Sequence, residues 1–184
     1  MRLQSRRLKR PFLRQLPVLL MALLLHQSLA AAPITGKFSL VNHHGEQVTE
    51  KTYSGTLKLV FFGFTQCPIV CPTTMADISA ALTLLAGQSE QVSPLFITID
   101  PENDTSSALA DYLQFFHPRI VGLTGTSEAI SDTAKNFNVT YGKANNEIYH
   151  TTYLYIFDHE GEFLDVIGYG TAGKEIARQL RAYL

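Results

Sequence analysis

Leu57-Lys58-Leu59-Val60-Phe61-Phe62-Gly63-Phe64-Thr65-Gln66-Cys67-Pro68-Ile69-Val70-Cys71-Pro72 is the stretch on which the fold turns. Leu57 to Phe62 is almost continuously apolar, which marks a strand buried on both faces. Pro72 to Leu85 then places Met75, Ile78, Leu82 and Leu85 at helical spacing. A buried strand followed by a helix, with two cysteines between, sets both thiols at a helix N-terminus. The helix dipole there is expected to favour thiolate.

Outward from that stretch, strands and helices alternate. Phe38–Val41 and Gln47–Thr49 flank Asn42-His43-His44-Gly45-Glu46 and read as a hairpin. Leu95–Ile99 is a second buried strand, stopped by Asp100-Pro101. Ser106–Phe116 is a helix, Ile120–Leu123 a short strand, and Ser127–Phe137 a helix capped by Thr126 or Ser127. Asn138 to Asn146 reads as a polar loop. His150–Phe157 and Phe163–Ile167 form a second hairpin around Asp158-His159-Glu160-Gly161, and Gly173–Leu184 closes the chain as a helix. The order predicts an α/β fold of thioredoxin-like layout: a central mixed sheet flanked by helices, with an N-terminal β-hairpin extension.

Residues 1–32 read as a cleavable export signal. Arg2, Arg6, Arg7, Lys9, Arg10 and Arg14 precede the apolar run Leu16–Leu25, and Ala30-Ala31-Ala32 offers small residues for cleavage. The run is short of the roughly 20 apolar residues of a membrane span. No cysteine follows it closely enough for a lipid anchor. The expectation is a periplasmic protein, soluble after cleavage, with an inner-membrane anchor facing the periplasm as the alternative. Residues 33–184 then form a single domain. They carry 9 basic and 16 acidic side chains, a net charge of −7. That balance excludes a nucleic-acid partner, which needs a basic face.

Cys67 and Cys71 are the only cysteines. Residues four apart on a helix have Cα atoms about 6 Å apart, within disulfide reach. So small a closed loop removes little chain entropy, which makes a purely structural bridge the weaker reading. Three intervening residues also depart from the Cys-x-x-Cys redox spacing. Thiolates select soft ions, copper(I) above all, and one imidazole would complete a three-donor site that can also hold copper(II). His43, His44, His117 and His159 lie in turns or at a helix end. His150 opens a β-rich segment, where a rigid sheet presents side chains to a site.

The chain resembles the Sco/SenC family of copper chaperones and cytochrome c oxidase assembly factors. Four segments carry the resemblance, in the family's order: Phe62–Pro72 with its two cysteines, Thr98-Ile99-Asp100-Pro101-Glu102-Asn103-Asp104-Thr105, Val121–Gly125, and His150-Thr151-Thr152. The resemblance implies one copper per chain, as Cu(I) or Cu(II), held by Cys67, Cys71 and His150. It implies delivery of copper to the dinuclear copper site of the oxidase or another copper enzyme, or reduction of that site's cysteines beforehand. Such a metallochaperone turns over no substrate, and its membrane contact is only through the partner or an uncleaved leader. Many members have Asp before the histidine where this chain has Tyr149, a position able to tune the imidazole. The alternative function is a thiol–disulfide oxidoreductase using Cys67 and Cys71 with a separate thiol reductant. A peroxide-reducing relative lacks support around Cys67. Asp104-Thr105-Ser106 is expected to cap the following helix.

Overall fold

Strand β3 (Leu57–Gly63) is buried at all seven positions and lies parallel to β4 (Val92–Thr98) along its whole length, Leu57 opposite Val92 and Gly63 opposite Thr98. Such a run is stable only with both sheet faces covered, and the flanking helices cover them. The computed structural model describes residues 32–145 and 147–184. The export-signal reading of residues 1–32 falls, but for Ala32, outside the described residues.

The remaining strands build outward from this pair. Strands β1 (Ser39–Asn42), β2 (Gln47–Thr49), β5 (Val121–Thr124), β8 (Leu154–Phe157) and β9 (Phe163–Ile167) complete a seven-stranded sheet in the order β2-β1-β5-β4-β3-β8-β9. β5 is parallel to β4, whereas β1, β8 and β9 pair antiparallel. The mixed sheet and its N-terminal hairpin match the expected α/β layout. Helices α1 (Val70–Leu85), α2 (Ser106–Leu113), α3 (Ser127–Asn136) and α4 (Gly173–Arg181) flank it.

Alternation along β3 divides the core. Phe61 packs with Phe96, which leads to Tyr112 of α2 and Phe116 beyond its end. Phe62 turns the other way, onto Phe137 just past α3, together with Tyr155. Lys58 interrupts the apolar run but runs its stem along the strand and donates from Nζ to the Asp158 carbonyl at 3.0 Å. On the cysteine side, α1 and α4 pack together, and Asp77 of α1 accepts the Gly173 N–H that opens α4 at 3.0 Å.

Several local expectations change. Helix α1 starts at Val70 rather than Pro72, which draws Cys71 into its first turn. Its other end, Leu85, is the expected one; Ala86 with φ of 50° closes it, and a 3-10 turn follows. Helix α2 ends at Leu113, short of Phe116. Most consequential, the stretch read as polar loop contains strand β6 (Tyr141–Ala144), paired with β7 (Glu147–His150) in a separate two-stranded sheet. His150 therefore ends β7 rather than opening the sheet strand β8, and residues 151–153 bridge the two. Each strand of the hairpin is only four residues long, and only Tyr141 and Ile148 supply apolar contact to the core from its inner face, too short a pattern for periodicity to mark.

Gly63 ends β3 where nothing larger fits. A Cβ there would stand 2.7 Å from Phe96 and 2.8 Å from the Cys71 sulfur. Gly63→Ala is expected to cost about 1–3 kcal/mol of stability, as overpacking does, read as a lowered urea midpoint with unchanged slope.

Candidate metal centre

The loop leaving β3 turns at once. The Cys67 N–H donates to the Phe64 carbonyl at 3.2 Å, so Cys67 lies before the helix, not on it. The first N–H groups of a helix lack carbonyl partners. Here one finds sulfur: the Cys71 N–H donates to Cys67 Sγ at 3.4 Å. Cys71 is 0% exposed and Cys67 partly exposed, and both are thiols. Their roles therefore differ by access, a distinction the sequence does not carry.

Burial also overrides the expectation of an easily ionised pair at the helix start. At Cys71 the dominant effect is desolvation, which pushes the thiol far above its ordinary range; the Phe64 backbone N–H opposes this, and the charges of Cys67 and Asp104 reinforce it. A cation bound at the sulfur would supply the compensating charge that water cannot. The Tyr112 hydroxyl is buried without a hydrogen-bond partner among the described residues, and its titration is pushed up first by burial and then by Cys71, Cys67 and Asp104.

His150 reaches the thiols from the β6–β7 hairpin. Its Nε2 stands 3.9 Å from Cys71 Sγ. Its Nδ1 lies 2.8 Å from the Thr151 carbonyl, which accepts only from a protonated Nδ1 and so leaves the Nε2 lone pair toward the sulfur. Phe61 and Phe64 flank the ring with centroids at 6.3 and 6.1 Å. Tyr149, the residue marked for tuning the imidazole, packs across Gly142 on the opposite face of the hairpin. The backbone of Thr151 orients the ring instead.

The donor chemistry fits a soft ion. With zinc-like bonds of about 2.3 Å to sulfur and about 2.0–2.1 Å to nitrogen, two donors of one ion lie roughly 3.5–3.8 Å apart. The Cys71–His150 pair is already near that spacing. Among the described residues, no three His, Cys, Asp or Glu side chains form a closed ion cage, and Cys67 Sγ is turned to the Cys71 amide. Cys67 borders an open cleft of about 540 Å³ between its own loop and the hairpin, with Asp100, Lys143 and Glu147 on the walls.

His43, His44 and His117 border a separate cavity. His43 Nδ1 accepts the Gly122 N–H and His117 Nδ1 the Arg119 N–H, so His43 is a partly buried junction between β1 and β5 rather than a free turn residue. Asp100 accepts from Asn103 at 2.9 Å. Thr105 caps α2, accepting the Ala108 N–H. Asp104, expected beside it as a cap, instead turns inward to Thr65 and Thr98. No periodic pattern marks a carboxylate whose partners lie 6 and 39 residues away.

Comparison with known proteins agrees with this architecture. The SCO1/SenC family model matches residues 26–184. The chain belongs to the SCO1/SenC family. Fission yeast Protein sco1 is 38% identical over 157 residues, covering 80% of this chain and 60% of its own. The human mitochondrial SCO1 homolog is 40% identical over 162 residues, covering 81% of this chain and 52% of its own. The chain thus spans a little over half the length of these two relatives. Among solved structures, Bradyrhizobium japonicum ScoI with copper bound superposes with a TM-score of 0.77 at 33% identity, covering 82% of this chain and 99% of that one. Yeast Sco1 with copper bound gives 0.76 at 31% identity, covering 83% and 88%. The family's thioredoxin-like fold is therefore the fold of this chain.

Two outcomes follow from the site's physical state. Alkylation of the reduced, metal-free protein should modify Cys67 about tenfold or more faster than Cys71, because only Cys67 is accessible; mass mapping of the labelled peptides checks it. Burial holds the imidazoles of His150, His43 and His117 below the usual histidine range. The unfolded chain then takes up protons first as pH falls past about 6.5, so stability is full above that range and lost below it. The urea midpoint should fall between about pH 7.5 and about pH 5, and fall less in His150→Gln.

Proposed function

We propose that this protein is a copper metallochaperone of an exported, periplasmic compartment. Cys67, Cys71 and His150 hold one copper ion per chain as cargo. The observation that carries this reading is the 3.9 Å approach of His150 Nε2 to Cys71 Sγ, with Nδ1 tied to the Thr151 carbonyl. The copper-bound state of the related ScoI and yeast Sco1 structures supports copper as the ion. Two sulfurs suit Cu(I), and the added imidazole suits Cu(II).

Access sets an order of release. Cys67 faces the cleft, so an incoming donor from the acceptor protein displaces it first. Cys71, buried beneath it, lets go last, and His150 excludes water from the remaining bond. The acceptor named by the sequence resemblance is the dinuclear copper site of cytochrome c oxidase.

The difference in thiol access also favours a second reading, reduction of the acceptor's cysteines. The Cys67 thiolate attacks an acceptor disulfide and one acceptor thiolate leaves. Cys71 then attacks the mixed disulfide and releases the second. The acceptor gains two electrons, Cys67 and Cys71 become a disulfide, and an external dithiol must reduce them again.

Titration of the reduced protein with Cu(I) against a competing chelator separates these readings. One tight equivalent is expected, with affinity lowered about a hundredfold in His150→Ala, on the scale of a lost site contact. Weak binding that His150→Ala leaves unchanged would sink the metallochaperone reading. Copper-independent turnover of a disulfide substrate would favour the second.

A further inference from the structure

Asp104 is 0% exposed, as is Thr98. Burying a carboxylate is costly unless donors replace its water, and here every donor is assigned. Oδ2 accepts the Thr65 N–H at 3.0 Å and the Thr98 hydroxyl at 2.6 Å, and Oδ1 accepts the Thr65 hydroxyl at 2.5 Å. Its own N–H is fixed on the Asp100 carbonyl at 2.9 Å, and the adjoining Ile99 N–H on the Gly63 carbonyl at 2.9 Å. Asp104 is thus anchored to the end of β4 and grips one outside residue, Thr65, by both backbone and side chain.

Thr65 stands two residues before Cys67, inside the turn that the Cys67 N–H closes on the Phe64 carbonyl. Phe64, on the other side of Thr65, lies against the His150 ring. A displacement of Thr65 therefore moves the exposed sulfur and a wall of the imidazole together. We propose that Asp104 is a positioning residue that sets where the Cys67 sulfur stands relative to Cys71 and His150. A carboxylate that merely pins α2 to the sheet would have no reason to spend two of its three hydrogen bonds on the cysteine loop. For the loaded protein, the inference rests on the metallochaperone reading.

Substitution separates the grip from the charge. In Asp104→Asn the amide oxygen can keep the two donors of Oδ2, and the amide nitrogen can donate to the Thr65 hydroxyl, which turns to accept. Asp104→Ala removes all three bonds. Thr65→Val removes one and keeps the shape of a partly exposed residue. The measurements are Cu(I) affinity by chelator competition and amide hydrogen exchange of the metal-free protein, followed by NMR.

Asp104→Ala should lose about tenfold or more in Cu(I) affinity, and Thr65→Val about fivefold. Asp104→Asn should stay within about threefold of wild type, on the usual scale for one or more lost hydrogen bonds. In Asp104→Ala the Cys67 amide should exchange about tenfold faster while amides of α4 keep their wild-type rates. Should Asp104→Ala fail to fold, Thr65→Val decides. Unchanged affinity in a folded Asp104→Ala or Thr65→Val overturns the inference, and so does an equal loss in Asp104→Asn and Asp104→Ala, which would assign the effect to charge. Exchange that rises equally throughout the molecule overturns it as well. If wild type binds Cu(I) only weakly, the metallochaperone reading fails, and exchange at the Cys67 amide still tests the grip.

Discussion

Gly63 and Thr98 face each other at the ends of β3 and β4, and the rest of the structure depends on how closely the chain packs there. The glycine lets Phe96 and the Cys71 sulfur approach to distances that a Cβ would forbid. Because β3 is buried at every position, its end lies against α1 with no solvent between. The chain can leave only through a tight turn, and that turn carries Cys67.

From this constraint the two cysteines acquire different physical states. Cys71 sits in the first turn of α1 with its sulfur sealed in the core, where an uncompensated negative charge is strongly disfavoured. Cys67, one turn earlier, satisfies the Cys71 amide while keeping a side toward the cleft. A soft cation bound there would resolve the tension at Cys71 by bringing its own charge, with the His150 nitrogen beside it. Metal and redox chemistry draw on the same asymmetry: one sulfur that can be reached and one that stays behind.

The surroundings are built to hold direction more than to supply ligands. The Thr151 carbonyl aims the imidazole, the phenylalanine rings flank it, and Asp104 ties the cysteine loop to the sheet. Each group belongs to a different element, and they meet because β3 and β4 end at the same level. The β6–β7 hairpin, paired in a sheet of its own, brings His150 to the thiols.

Much was readable from local pattern. The buried run Leu57–Phe62, the helical spacing of Met75, Ile78, Leu82 and Leu85, and the turn residues around both sheet hairpins reflect interactions between near neighbours, and periodicity reports those. The sequence by itself therefore determined the alternation of strands and helices, the mixed sheet, and the chemical character of a thiol pair with a candidate imidazole. Only the tertiary structure decided which sulfur is buried, that His150 ends a separate hairpin, that Tyr149 turns away from it, and that Asp104 grips Thr65 rather than capping α2. The reason is physical: burial, ring orientation and hydrogen bonds across 39 and 79 residues are properties of chain segments brought together, and no short window of sequence contains both partners.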